Sequence, residues 1–103
     1  MNPEDSKIIT LARAARARNG SAEGAAVRDE TGRTYAATDV ALTALKLSAV
    51  QVAAAMAISS GATSLEAAAL VSEGAPSPDD EAVAAELGVG ELLVAGPDGT
   101  LRG

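Results

Sequence analysis

From Leu47 to Ile58 the chain reads Leu-Ser-Ala-Val-Gln-Val-Ala-Ala-Ala-Met-Ala-Ile. Wound as a helix, this segment keeps no polar stripe on any side, which is the mark of a helix covered all round. The stretch from Ala44 to Gly61 therefore predicts a buried central helix on which the other elements pack. Its alanines, Lys46, Gln51 and serines set it apart from a membrane span. A chain of 103 residues is one small domain, spanning residues 1–103, and at this size only about two thirds of the unfolded surface is buried. Tyr35 is its one aromatic residue. Alanine brings little apolar area per residue, so association with a second copy would add stability to a thin core.

Around that helix the punctuation is clear. Asn2 is placed to cap a helix with Pro3 in its first position and Glu4 and Asp5 in the first turn, where the helix dipole favours acids. Ile8, Ile9, Ala12 and Ala15 give a buried face, Arg13, Arg16 and Arg18 lie toward the favourable C-terminal end, and Gly20 stops the helix after Asn19. Gly24–Arg28 and Arg33–Val40, joined by Asp29-Glu30-Thr31-Gly32, read as a hairpin. Leu65–Val71 has the composition of a helix, but it is a short apolar run between turn-rich stretches and is assigned as a strand buried on both faces. Ser77, with Pro78 and then Asp79, Asp80 and Glu81, starts a third helix that runs to about Leu87. Glu91–Ala95 is a strand, Gly96–Gly99 a turn, and Thr100–Arg102 a short last strand. The class is α/β, a mixed sheet of four or five strands with helices packed on it.

Composition removes several chemistries. With no cysteine and no histidine, there are no disulfides, no thiol nucleophile, no Ser-His or Cys-His pair, and none of the usual zinc ligands. A net charge of −6 disfavours nucleic acid and anionic membrane as partners. The acidic, polar start Met-Asn-Pro-Glu-Asp-Ser-Lys is unlike a secretory signal, and a cytoplasmic location is expected.

The order of these elements, with Gly24-Ala25-Ala26-Val27, the turn Thr31-Gly32-Arg33 and the alanine-rich central helix, resembles the cytidine deaminase family from about Leu11 to Leu93. The resemblance implies the three-layer fold of those enzymes. It also implies a His-x-Glu or Cys-x-Glu triplet at the start of the central helix and Pro-Cys-x-x-Cys at the start of the next; zinc activates a water there and the glutamate shuttles protons. Ser48-Ala49-Val50 stands at the triplet and Pro76-Ser77-Pro78-Asp79-Asp80 at the second motif. By this correspondence Ser48, Ser77 and Asp80 replace the three metal ligands and Val50 replaces the glutamate. Neutral hydroxyls hold zinc poorly, valine moves no proton, and loss of a general acid/base alone costs roughly 10²- to 10⁴-fold. Neither a metal nor another cofactor is therefore expected. The substrate-side residues differ too. Ala37 and Asp39 stand where the family has Asn-x-Glu against the sugar, and Ser21 stands near the aromatic residue that packs on the base.

Three functions follow as expectations. The first is a member of this fold without zinc-dependent deaminase activity, a structural, interaction or regulatory protein that forms a dimer or tetramer through the central helix or binds a protein partner. The second is a binding module for a nucleoside or similar small ligand between Asp39, Ser48 and Ser77. The third is an enzyme of altered chemistry using Asp39, Asp80 and Lys46. A magnesium site from Asp79, Asp80, Glu81 and Asp39 is chemically conceivable, but three acids after a Ser-Pro cap are what a helix N-terminus favours on its own.

Overall fold

The computed structural model describes residues 1–102. Helix α1 (Pro3–Asn19) is followed by strands β1 (Glu23–Asp29), β2 (Thr34–Thr38), β3 (Val40–Ala41) and β4 (Lys46–Leu47). Helix α2 (Ala49–Ser59), strand β5 (Leu65–Ser72), helix α3 (Pro78–Glu86), and strands β6 (Leu93–Ala95) and β7 (Leu101–Arg102) complete the chain. Five strands form one sheet in the order β2-β1-β5-β6-β7. β1 runs antiparallel to β2 and β5, β5 and β6 run parallel, and β7 returns antiparallel to β6.

The pleat divides the strands between two cores. Ala26, Ala67, Ala69 and Val71 face α1 and pack on Ile8, Ile9 and Ala12. Ala25, Val27, Ala68 and Leu70 face the other way and pack on Ala49, Val50, Ala53, Ala54 and Ala57 of α2 and Ala84 of α3. The result is a helix layer, a sheet, and a second helix layer. β5 is a strand as expected, although alanine, leucine and glutamate favour helix; its central place between β1 and β6 overrides propensity.

The central helix differs from expectation in two ways. It starts at Ala49, because Ser48 caps it with Gln51 reciprocating, and Lys46 and Leu47 lie instead on β4, paired with Ala41 and Val40 of β3. This small hairpin also shortens the strand expected to reach Val40. Nor is α2 covered all round. It lies on one side of the sheet, so Met56 and Ile58 are left 41% and 43% exposed, with Ala55 exposed beside them.

Gly24 shows how closely the layers approach. A Cβ placed there would sit 2.1 Å from the Ala12 carbonyl oxygen of α1 and 2.9 Å from Arg16 Cβ. Nearby, Arg28 ties three elements together, donating from Nη2 to Asp5 of α1 at 3.2 Å and from Nε to Glu66 of β5 at 3.0 Å. Where β1 ends in a register shift, Asp29 is 2% exposed and organises the turn. Its Oδ1 accepts from the Thr31 amide at 2.9 Å, the Thr31 hydroxyl at 2.7 Å and the Arg33 amide at 3.0 Å, and its Oδ2 accepts from the Tyr35 hydroxyl at 3.2 Å. Burial pushes this carboxyl upward, but the donors from Thr31, Arg33 and Tyr35 together outweigh it and hold the group below its ordinary value.

Gly24→Ala is expected to destabilise the protein by about 1–3 kcal/mol or more, since the clash is with backbone; a thermal midpoint unchanged from the wild type would refute the close approach. Because the folded-state pKa of Asp29 is lowered, its stabilising effect is present above the unfolded value of about 3.9 and is lost as pH falls through the folded value. The urea midpoint of Asp29→Asn should therefore lie below that of the wild type at pH 7 and converge on it in acid. A gap that persists unchanged to pH 2 would contradict this.

Candidate functional site

The N-termini of α2 and α3 meet. At α2, Ser48 Oγ accepts from the Gln51 amide at 3.1 Å and Gln51 Oε1 accepts from the Ser48 amide at 2.9 Å. At α3, Ser77 Oγ accepts from the Asp80 amide at 3.1 Å and Asp80 Oδ2 accepts from the Ser77 amide at 3.0 Å. Each is a capping box, a hydroxyl on the third helical amide with that residue's side chain reaching back.

A further bond joins the two boxes. The Ser48 hydroxyl donates to Asp80 Oδ1 at 2.5 Å. Asp80 is 1% exposed, although Asp79 and Glu81 on either side lie in solvent. A buried carboxylate is tolerable only when its oxygens are hydrogen-bonded, and here both are. Val50 is 1% exposed and belongs to the core formed with Ala25, Val27 and Leu70.

Of the residues singled out in the sequence, Ser48, Ser77 and Asp80 are thus brought into one hydrogen-bonded knot. Asp39 lies one step away: its Oδ1 accepts from the Glu23 amide at 3.1 Å, and Glu23 Oε1 accepts from the Ala49 amide at 3.1 Å. Between Ser48 and Ser77 lies Asp80, which accepts from the Ser48 hydroxyl through Oδ1 and from the Ser77 amide through Oδ2. Lys46 is exposed on β4, and among the described residues no hydrogen bond joins it to Asp39 or Asp80. Glu23 had no signal in the sequence. An acid at the start of a strand is unremarkable, and its contact with α2 spans 26 residues.

The family model for cytidine deaminase-like proteins matches residues 1–99. The chain belongs to the cytidine deaminase-like family. A cytidine deaminase from Burkholderia pseudomallei is similar in structure, with a TM-score of 0.76, 26% identity, and coverage of 99% of this chain and 91% of that one. A cytidine deaminase from Mycobacterium tuberculosis matches with a TM-score of 0.72 and 27% identity over 93% of this chain and 86% of that one. The enzyme from Mycobacterium leprae, at 23% identity and a TM-score of 0.64, covers 93% of this chain and 89% of the other and shares its fold. No curated protein matches the chain by sequence.

A family of this kind implies zinc, and the donors available here do not fit it. Zinc is held by thiolates, imidazoles and carboxylates; the knot offers two neutral hydroxyls and one carboxylate. Both hydroxyl oxygens accept from helix amides, and both carboxylate oxygens also accept hydrogen bonds. Among the described residues, no group of three or more His, Cys, Asp or Glu side chains is placed to hold a metal ion. No described helix is long and apolar enough to cross a membrane.

Proposed function

We propose that this member of the cytidine deaminase-like family does not carry out zinc-dependent deamination and acts as a homo-oligomeric structural or regulatory protein of the cytoplasm. One observation carries the reading. The residues that the family resemblance places at the metal ligands, Ser48, Ser77 and Asp80, spend their oxygens on one another and on helix amides. Hydrolytic deamination needs an activated water and a group to move its proton. Val50, at the position of the proton-shuttling glutamate, is packed into the core and has no proton to give.

Self-association is supported by the outer side of α2. Ala55, Met56 and Ile58 are apolar and exposed, beside a groove of about 330 Å³ lined by Ala54, Ala55, Ile58, Val83 and Leu87 together with Gln51 and Glu86. The alanine-built core contributes little apolar area per residue, so burial of these side chains against a second copy, or against a protein partner, would add stability.

Two measurements decide. Protein purified from zinc-supplemented medium should contain far less than one zinc per chain and release no ammonia from cytidine above background; stoichiometric zinc or measurable turnover would overturn the proposal. Light scattering should give a dimer or tetramer for the wild type and a folded monomer for Ile58→Glu. A monomeric wild type would remove the assembly from the reading.

A further inference from the structure

An ordinary capping box is a local device: the third helical side chain serves the cap of its own helix. Asp80 does this with Oδ2, accepting from the Ser77 amide at 3.0 Å. Its Oδ1 does something local capping does not require, accepting the Ser48 hydroxyl at 2.5 Å from a residue 32 positions away that caps the other helix. Among the described residues this is the one hydrogen bond joining α2 with its cap to α3 with its cap. The apolar contact between the two helices is thin by comparison. It rests on side chains such as Ala54, Val83, Ala84 and Leu87, beside the groove of about 330 Å³ that follows α2 from Gln51 to Ile58.

Helix N-termini carry partial positive charge and unpaired amides, so two of them held side by side repel unless something negative lies between. Glu23 takes the first amide of α2, and the carboxylate of Asp80 lies between the two helix starts, its burial the structural sign that it faces the partner helix rather than solvent. We propose that Asp80, acting through Ser48, is the tie that fixes α3 against α2 without a metal. The proposal rests on the reading of this chain as a zinc-free member of its family, in which the resemblance would otherwise assign the same three positions to a bound ion. Asp80 here is a positioning residue: it acts on the second helix through Ser48 and on its own helix through Ser77.

Hydrogen exchange of the full chain tests this, because it reads each helix separately. Ser48→Ala is on α2, and its own cap is lost whatever the proposal; the informative amides are those of α3 after its cap, from Glu81 to Val83. These should exchange roughly tenfold faster in Ser48→Ala, as expected for loss of a charge-assisted hydrogen bond. Asp80→Asn should speed the first-turn amides of α2 in the same way, while Ser48→Thr, which keeps a hydroxyl, should leave α3 at the wild-type rate. In the double variant Ser48→Ala, Asp80→Asn the effects should be less than the product of the singles. Exchange changes confined to α2 in Ser48→Ala, or effects that multiply independently, would overturn the tie. The wild type with and without a chelator separates the two readings. Faster exchange on chelation would sink the zinc-free reading, whereas an inert chelator with uncoupled variants would sink the tie alone.

Discussion

Close approach of small residues is the constraint on which the architecture depends. Gly24 admits the backbone of α1 at a distance no side chain could tolerate, and alanine lines both faces of the sheet through Ala25, Ala26, Ala67, Ala68 and Ala69. Each alanine buries little area, so the layers gain from nearness and from many weak contacts rather than from large side chains. A core of this type specifies spacing well and orientation less well. The polar ties lie where orientation must be fixed. Arg28 bridges α1, β1 and β5, Asp29 shapes the turn between β1 and β2, and Asp80 joins the starts of α2 and α3.

Much of the frame was legible because its signals are local. Asn2, Pro3 and Gly20 bound α1 as expected, and Ser77 with Pro78 starts α3. The strand at Leu65–Ser72 was legible from length and flanking turns against the contrary evidence of propensity. The start of α2 was written in the chain as Ser48 followed three residues later by Gln51, a capping signature, and was obscured by the apolar run on both sides. The hairpin of Val40–Ala41 with Lys46–Leu47 is too short to leave a pattern. The exposed side of α2 is not a local property at all. Hydropathy shows that Met56 and Ile58 are apolar, while which of them is covered depends on how many layers the fold supplies.

The site was legible in position and illegible in arrangement. A likeness of motif order placed Ser48, Ser77 and Asp80 at one locus, and they do meet. Composition could not show that Asp80 would be buried while Asp79 and Glu81, its immediate neighbours in an acidic run, stay in water. The same holds for Asp29 beside Glu30. At Asp80 and Asp29 both carboxylate oxygens accept hydrogen bonds, a three-dimensional property. Glu23 was missed for the same reason, since its value comes from standing opposite the first amide of α2.

The choice of aspartate at this locus has an electrostatic logic. Two helix N-termini side by side, each with about half a positive charge, stabilise anions. Thiolates at such a point would be favoured by that field and could hold zinc in turn. Replace thiolates by serine hydroxyls and the field remains, but the anions that would draw a cation into it are gone. A dication entering here would meet two positive helix ends and one carboxylate already engaged by Ser48 and Ser77. The buried Asp80 carboxylate answers the same field directly, accepting from the Ser77 amide and the Ser48 hydroxyl, while Glu23 takes the first amide of α2. The junction of α2 and α3 thus rests on negative charge at two helix starts, and Asp80 brings its carboxylate to both, through Ser77 on its own helix and Ser48 on the other.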